Sequence, residues 1–177
     1  SLMSADYYAM FKTSLGWCGI IYGKYGLIKI YLPGMKKAKL KKNIHSYNKS
    51  IVEHTGRIQI LVRHICSYFK GKNVRLNLPV DMKTMTEFEK KVYKQAMKVP
   101  FGKVKSYKWL AEKAGIPNGA RAVGNALSKN PVPLIIPCHR VIKSDGRLGG
   151  FSAPGGILIK RKMLSIEGHA NYPLTVE

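Results

Sequence analysis

The chain has 177 residues, and the 45% that are hydrophobic are enough to build a core, which excludes wholesale disorder. Its 31 Lys and Arg residues exceed its 9 Asp and Glu residues by 22 charges, and the excess is spread over both halves of the sequence. A charge of this size favours a polyanionic partner, with nucleic acid before an anionic membrane surface. A ribosome-associated or simply lysine-rich protein is the alternative. No segment approaches the roughly 18 apolar residues of a membrane span.

The cysteines and the first residues indicate a cellular compartment. Cys18, Cys66 and Cys138 form neither an even set nor a metal-ligand spacing, so we expect no disulfide framework and no zinc site. The first residues lack the basic and apolar regions of a signal peptide. We therefore expect a protein of a reducing compartment, the cytoplasm, without a membrane segment.

The first half of the chain combines strand and helix signals. Apolar runs at residues 17–23 and 27–32 flank a turn bounded by glycines, which predicts a β-hairpin. The five lysines that follow within residues 35–43 are typical of a solvated face. Within residues 51–69, apolar side chains recur at the spacing of one helical face. These elements predict an N-terminal α/β domain over residues 1–83.

The second half, residues 84–177, is predicted to be mainly helical. Thr86 and Glu89 have the spacing of a capping box at the start of one helix. Ser106 is expected to cap a second helix, and Asn118 a third, with a Gly-Ile-Pro break between them. Two short helices joined by a tight turn are a helix-turn-helix candidate, although any helix pair in a bundle has the same pattern.

The third predicted helix is rich in Gly and Ala, and Arg121 is the one long cation among its early residues. Small side chains let a helix approach a surface closely, which suits an interface with a groove. Tight packing between helices, with Arg121 in solvent, is the alternative.

The chemically informative segment is Asn-Pro-Val-Pro-Leu-Ile-Ile-Pro-Cys-His-Arg at residues 130–140. A lone cysteine after an apolar run is usually an inert packing residue. Here Cys138 is followed directly by His139 and Arg140, and positive neighbours lower the pKa of a thiol and increase its nucleophilic thiolate fraction. Adjacency in sequence does not establish contact between the ring and the sulfur. Cys138 is therefore a candidate nucleophile.

The Pro-Cys-His-Arg tetrapeptide, with Asn-Pro-Val-Pro before it, resembles the active-site signature of the O6-alkylguanine-DNA alkyltransferases. The similarity extends to residues 99–107, 121–124 and 166–168. The similarity is close in the second half of the sequence, whereas the first half resembles the family only in its α/β character. The resemblance implies an N-terminal α/β domain of the ribonuclease H-like type and a mainly α C-terminal domain with a winged helix-turn-helix.

The resemblance also implies a reaction. An alkyl group passes irreversibly from O6 of guanine, with O4 of thymine as a second candidate, to Cys138, once per protein molecule and without cofactor or metal. His139 resembles the family's general base, which acts through a water, and Glu167 the residue that orients it. Tyr107 matches the residue that donates to the departing guanine, and Asn130 matches the one that braces the active-site turn.

The implied partner is double-stranded DNA, bound by a monomer. The alkylated base would be flipped out through the minor groove, and Arg121 would take its place in the stack. Lys108 and Ser144 are candidate phosphate contacts. The candidate residues of the substrate pocket are Phe151, Ser152 and Pro133. One departure from the family pattern is an Ala-Pro pair before the glycines of the substrate loop, which stiffens that loop.

Three rival functions are weighed against this interpretation. A non-catalytic lesion sensor resembling the alkyltransferase-like proteins would lack the reactive cysteine, which is present here. A cysteine hydrolase would use the same Cys-His pair, but no peptide or amide pocket is indicated. A two-metal nuclease needs more acids than the N-terminal half holds, namely Asp6, Glu53 and Asp81.

Overall fold

The computed structural model describes residues 5–171 together with 174 and 176. Its N-terminal half contains a sheet in the order β3-β2-β1-β4, in which β1, β2 and β3 are antiparallel and β4 runs parallel to β1. Two helices pack on this sheet. The elements of this half are β1 Tyr7–Thr13, β2 Gly16–Gly23, β3 Gly26–Tyr31, α1 Lys37–Tyr47, β4 Val52–Glu53 and α2 Gln59–Phe69.

The predicted hairpin is confirmed as β2 and β3, which pair from Gly23 opposite Gly26. Gly26 has a φ of +118°, and a Cβ there would lie 2.2 Å from the carbonyl oxygen of Pro79. Only glycine fits this position, where the connector after α2 returns to the sheet. Strand β1 was not predicted, although it pairs with β2 along its whole length.

The lysine-rich run forms α1, whose lysines are exposed while Leu40 and Ile44 face the sheet, as the solvated-face interpretation predicts. The helix predicted within residues 51–69 is confirmed as α2, although it begins only at Gln59. Its buried face carries Tyr68 and Phe69, both of which belong to a core that continues into the other half.

The C-terminal half is mainly helical, and two of its predicted caps are confirmed. Thr86 and Glu89 form a reciprocal capping box, and the Ser106 side chain accepts a hydrogen bond from the backbone of Trp109. The elements are α3 Glu87–Ala96, β5 Lys105–Ser106, α4 Tyr107–Lys113, α5 Ala120–Ser128, β6 Val141–Ile142 and α6 Gly156–Ile166.

The prediction that Asn118 caps the third helix is wrong. Asn118 adopts a left-handed conformation with a φ of 66°, and the N-cap of α5 is Gly119, which makes no side-chain capping bond. Asn tolerates the left-handed region better than most residues, so the Asn118 backbone turns the chain where its side chain was expected to cap it.

One continuous hydrophobic core joins the two halves. The backbone N–H of Ile30 on β3 also donates to the carbonyl oxygen of Pro131 at 2.9 Å, at the start of the Cys138 segment. The N-terminal sheet therefore supports that segment directly. None of the helices within the described residues is long and apolar enough to cross a membrane.

Candidate active site

Cys138 begins a short 3-10 helix, Cys138–Arg140, after a buried apolar turn. Asn130 holds this turn, since its Nδ2 donates to the Ile136 carbonyl at 2.8 Å and its Oδ1 accepts from the Val132 N–H at 2.9 Å. Within the turn, Leu134 has a φ of 77°, a conformation that costs a non-glycine residue about 1–3 kcal/mol. The two bonds of Asn130 help to hold this strained turn in place.

The Cys138 side chain is almost completely buried, and burial raises the pKa of its thiol. A hydrogen bond with Asn130 and the positive charge of Lys160 act in the opposite direction without cancelling the effect of burial. The resting side chain is therefore a neutral thiol, which needs a base before it can act as a nucleophile.

A suitable base lies next to it in the chain. The Nε2 of His139 lies 2.5 Å from Oε2 of Glu167, and both side chains are fully buried. Burial lowers the pKa of His139, so its ring is neutral near pH 7. With Nε2–H donating to Glu167, the lone pair is on Nδ1, which is buried and has no hydrogen-bond partner among the described residues.

Glu167 is ionised even though it is buried. Burial opposes ionisation, but the hydrogen bonds and charges of His139 and Arg140 outweigh it and hold the pKa of this carboxyl far below its usual range. Arg140 Nε donates to Oε1 at 2.7 Å, and the backbone N–H of Gly102 donates to the same oxygen at 3.0 Å. Arg140 also donates to the carbonyl of Val99 at 2.8 Å. The segment around residues 99–102 is thus part of the site.

Two cavities meet at Cys138. The larger, of about 710 Å³, is lined by Tyr107 of α4, by residues along the whole length of α5 and by the loop before α6. The smaller, of about 400 Å³, lies between β3 and the same loop. The residues that line both cavities are Leu127, Ser128, Cys138, Phe151 and Ser152. The sulfur is thus reachable from a space large enough for a purine base.

Tyr107 lies at the wall of the larger cavity, and burial together with the nearby Cys138 raises its pKa to about 12. Gly149 passes close to its hydroxyl, because a Cβ on Gly149 would lie 2.9 Å from that oxygen, and Gly149 has a φ of +73°. Gly124 of α5 faces the same ring. Part of the small-residue character of α5 therefore serves the cavity wall.

The remaining candidate residues are divided between the cavities and the surface. Arg121 is exposed in the first turn of α5 and lines the larger cavity. Ser152 is exposed, and its hydroxyl donates to the carbonyl of Ser128 at 2.6 Å, whereas Pro133 is buried and lines the smaller cavity. Lys108 and Ser144 are exposed and line neither cavity.

Comparisons with known proteins agree with this geometry. Residues 87–169 match the family model of the 6-O-methylguanine DNA methyltransferase DNA binding domain. A methylated-DNA–protein-cysteine methyltransferase of Saccharolobus solfataricus is 50% identical over 101 residues, which are 57% of this chain and 63% of that protein. The corresponding protein of Sulfurisphaera tokodaii is also 50% identical over 101 residues. The matched segment thus spans less than two thirds of these relatives.

Solved structures extend the similarity to both halves. Mycobacterium tuberculosis OGT in complex with DNA has a TM-score of 0.73 and 29% identity, covering 91% of this chain and 92% of that one. The O6-methylguanine-DNA methyltransferase of Pyrococcus kodakaraensis has a TM-score of 0.68 and 26% identity, covering 91% and 99%. Residues 87–169 thus match the DNA binding domain of the 6-O-methylguanine DNA methyltransferases, and both halves of the chain are similar to these solved structures.

The candidate active site contains two buried polar side chains that the sequence analysis missed. Lys160 of α6 is fully buried, with Nζ donating to the carbonyls of Val141 at 2.8 Å and Leu148 at 2.6 Å. Burial lowers its pKa to about 8. Its Nζ also lies 3.4 Å from the hydroxyl of Tyr107. The second missed residue is Tyr68 of α2, whose hydroxyl donates to Oε2 of Glu167 at 2.6 Å.

Among the described residues, no group of three or more His, Cys, Asp or Glu side chains is arranged to hold a metal ion. The candidate site offers reactive side chains of its own. It combines a thiol, a neutral imidazole oriented by a carboxylate, and a hydroxyl at the cavity wall.

Proposed function

We propose that the protein repairs alkylated DNA by transferring an alkyl group from O6 of guanine to Sγ of Cys138, once per molecule. The observation that carries the proposal is the position of Cys138, which faces a base-sized cavity on one side and is followed directly by the buried His139–Glu167 pair. Guanine O6 adducts are the substrate class, and O4-alkylthymine is a second candidate.

The reaction follows from the protonation states of these groups. Nδ1 of His139 takes the thiol proton through a water, and Glu167 stabilises the imidazolium that forms. The thiolate of Cys138 attacks the alkyl carbon, so that an S–C bond forms while the C–O6 bond breaks. The electron pair stays with the guanine, which accepts a hydrogen bond from Tyr107 and then a proton. The thioether product has no easy route back to a thiol, which makes the transfer stoichiometric.

DNA binding is proposed to use α4 and α5 as the helices of a winged helix-turn-helix in the minor groove. The alkylated base must leave the stack to reach the cavity, at a cost of a few kcal/mol. Arg121, exposed beside that cavity, would fill the gap in the duplex. Lys108 and Ser144 are exposed and available for phosphate contacts. The net charge of +22 supports duplex DNA as the partner, and the protein is proposed to bind it as a monomer.

The division of the chain into residues 1–83 and 84–177 belongs to the same proposal. The strand order β3-β2-β1-β4, with β4 parallel to β1, supports a ribonuclease H-like N-terminal domain that acts as a scaffold. Because the nucleophile has to remain a free thiol, a reducing compartment such as the cytoplasm is required. The proposed transfer needs no cofactor or metal.

The test is the intact mass of the protein after incubation with duplex DNA that contains one O6-methylguanine. We expect a gain of one methyl group, mapped to Cys138, that stops at one group per molecule. Cys138→Ser should gain none, whereas the matched variant Cys66→Ser, which removes a partly exposed cysteine, should be methylated as the wild type is. Continued turnover, or methylation of another residue, would contradict the proposal.

A further inference from the structure

Tyr68 is the point at which the N-terminal half enters the candidate active site. It lies near the end of α2, and its side chain is fully buried. Its ring makes edge-to-face contacts with Phe69, Phe101 and His139, at centroid distances of 5.2, 6.1 and 6.4 Å. These contacts leave the ring little freedom to move, so the position of its hydroxyl is well defined.

The hydroxyl of Tyr68 shares one carboxylate oxygen with His139. Oε2 of Glu167 accepts from Tyr68 at 2.6 Å, from Nε2 of His139 at 2.5 Å and, at the longer distance of 3.3 Å, from Nη2 of Arg140. The other oxygen, Oε1, accepts from Arg140 and from the backbone of Gly102. Four residues thus donate to one carboxylate, and among the described residues Tyr68 is the donor that comes from the N-terminal half.

The Tyr68 hydroxyl has one hydrogen to donate, and it donates this hydrogen bond to Glu167. The other polar atoms near this hydroxyl, the Met163 carbonyl and Nε2 of His139, lie at 3.4 Å, and an ionised carboxylate is the stronger acceptor. A lone pair of the hydroxyl oxygen then remains on the side of Nε2. An unprotonated Nε2 would face oxygen lone pairs of both Glu167 and Tyr68. The imidazole therefore carries its proton on Nε2, which leaves the lone pair on Nδ1.

We propose that Tyr68 is a positioning residue for the proposed alkyl transfer: by sharing Oε2 of Glu167 it fixes the tautomer of His139 and limits its base strength. A carboxylate oxygen that accepts several hydrogen bonds pulls less strongly on each donor than it does after one donor is removed. Without the Tyr68 hydroxyl, Oε2 would hold the imidazolium form of His139 more tightly. The N-terminal half would thus set the pH range in which the nucleophile is activated, which goes beyond a scaffold.

The charges around His139 come from several elements, and none of them is removed when Tyr68 is replaced by Phe. Arg140 and Lys160 disfavour the imidazolium, and Glu167 favours it. The titratable and charged groups that face the ring are Tyr68 of α2, Lys160 of α6, and Cys138, Arg140 and Glu167. In Tyr68→Phe the last four remain, so any shift in the titration of His139 reports the hydroxyl.

The experiment measures the rate of Cys138 alkylation by free O6-benzylguanine between pH 5 and 9. The rate falls on the acid side as His139 becomes protonated. Tyr68→Phe should move the midpoint of this fall, the acid limb of the pH profile, upward by about half to one pH unit. The reaction of the variant would then be about three- to tenfold slower at pH values below that midpoint. The matched control is Tyr22→Phe, since Tyr22 is also buried in the N-terminal half but donates to the carbonyl of His54 at 2.7 Å. Its profile should follow the wild type.

Two further measurements distinguish a failure of the inference about Tyr68 from a failure of the proposed function. Carbamidomethylation of Cys138 by iodoacetamide, followed by peptide mass, should show the same shift of the acid limb. It tests Tyr68 even if the wild type transfers no alkyl group from guanine, a result that would refute the proposed function alone. Nitrogen NMR of the wild-type imidazoles needs no variant and should show His139 protonated on Nε2 at neutral pH. A Nδ1–H tautomer, or coincident pH profiles for Tyr68→Phe and Tyr22→Phe, would overturn the inference.

Discussion

Replacing Glu167 by Gln should both destabilise the protein and disable the proposed base. The carboxylate accepts hydrogen bonds from Tyr68, Gly102, His139 and Arg140. An amide has one oxygen, and its NH₂ group donates, so the NH₂ group meets at least two donors on whichever side it occupies. It also leaves the positive charge of Arg140 without its anionic partner in a largely buried site.

The magnitude follows from the cost of breaking a buried ion pair. Removing one partner of such a pair costs about 3–5 kcal/mol, because the remaining charge is uncompensated. For a chain of this size each kcal/mol lowers the melting temperature by about 2–4 °C, so a decrease of about 6–20 °C is expected. The matched control is Glu87→Gln, which removes an exposed acid paired only with Lys90 on the same helix and should leave the melting temperature unchanged.

The pH dependence of this effect has a definite sign. The pKa of Glu167 is lower in the folded protein than in the unfolded chain. The stability that its ionised form contributes is therefore fully present above the unfolded-state value of about 4.3 and is lost as the pH falls below it. Calorimetry should show a constant difference between wild type and Glu167→Gln from pH 8 to 5 that shrinks in more acidic buffers.

The same substitution should change the chemistry. The least costly arrangement of the amide directs its NH₂ toward His139 and Tyr68, and the imidazole then accepts at Nε2 and carries its proton on Nδ1. The base would be lost, and the rate of alkyl transfer should fall about 10²–10⁴-fold. A melting temperature no lower than that of Glu87→Gln, or a stability difference that grows on acidification, would refute the reasoning.

Three further outcomes are expected. Arg121→Ala should slow the repair of duplex DNA far more than the reaction with free O6-benzylguanine, which needs no flipping; equal losses would mean that Arg121 supports the fold. Affinity for undamaged DNA should fall steeply with salt, with a logarithmic slope of about −0.9 for each phosphate contact, and a flat response would contradict the charge argument. The pKa of Lys160 is about 8 in the folded state and about 10.4 in the unfolded chain. The wild type should therefore gain stability relative to Lys160→Met as the pH rises from 8 to 10, which differential scanning calorimetry can measure. A difference that declines over this range would contradict the burial of the ammonium.

Structural features that depend on residues close together in the chain were predicted well from the sequence. The capping box at Thr86, the cap at Ser106 and the turn between β2 and β3 depend on neighbouring backbone groups, and all three are present. Asn118 was misassigned because an Asn beside a glycine is equally suited to a cap and to a left-handed turn. Strand β1 was missed because its alternating pattern is weak: its identity depends on pairing with β2 rather than on its own residues.

Lys160 shows why polarity alone misassigns a helix face. In α6 the apolar residues Ile157 and Leu158 are exposed, whereas Lys160 has no exposed surface. A buried ammonium is normally excluded because desolvation disfavours its charge. Here the carbonyls of Val141 and Leu148, which come from β6 and the loop after it, satisfy the ammonium. No pattern within α6 contains that information, because the acceptors lie 12 and 19 residues away.

The proposed catalytic pair and the groups around it also differ in how far the sequence reveals them. Cys138 and His139 are adjacent in the chain, so the motif predicts which atoms react. Glu167 and Tyr68 lie 28 and 71 residues from His139, and they reach it only because α2 and α6 pack against the Cys138 segment. The protonation state of His139 depends on those two contacts. The atoms that we propose to react could therefore be named from the sequence motif, whereas the hydroxyl that we propose sets the pH range of their reaction could be found only in the folded chain.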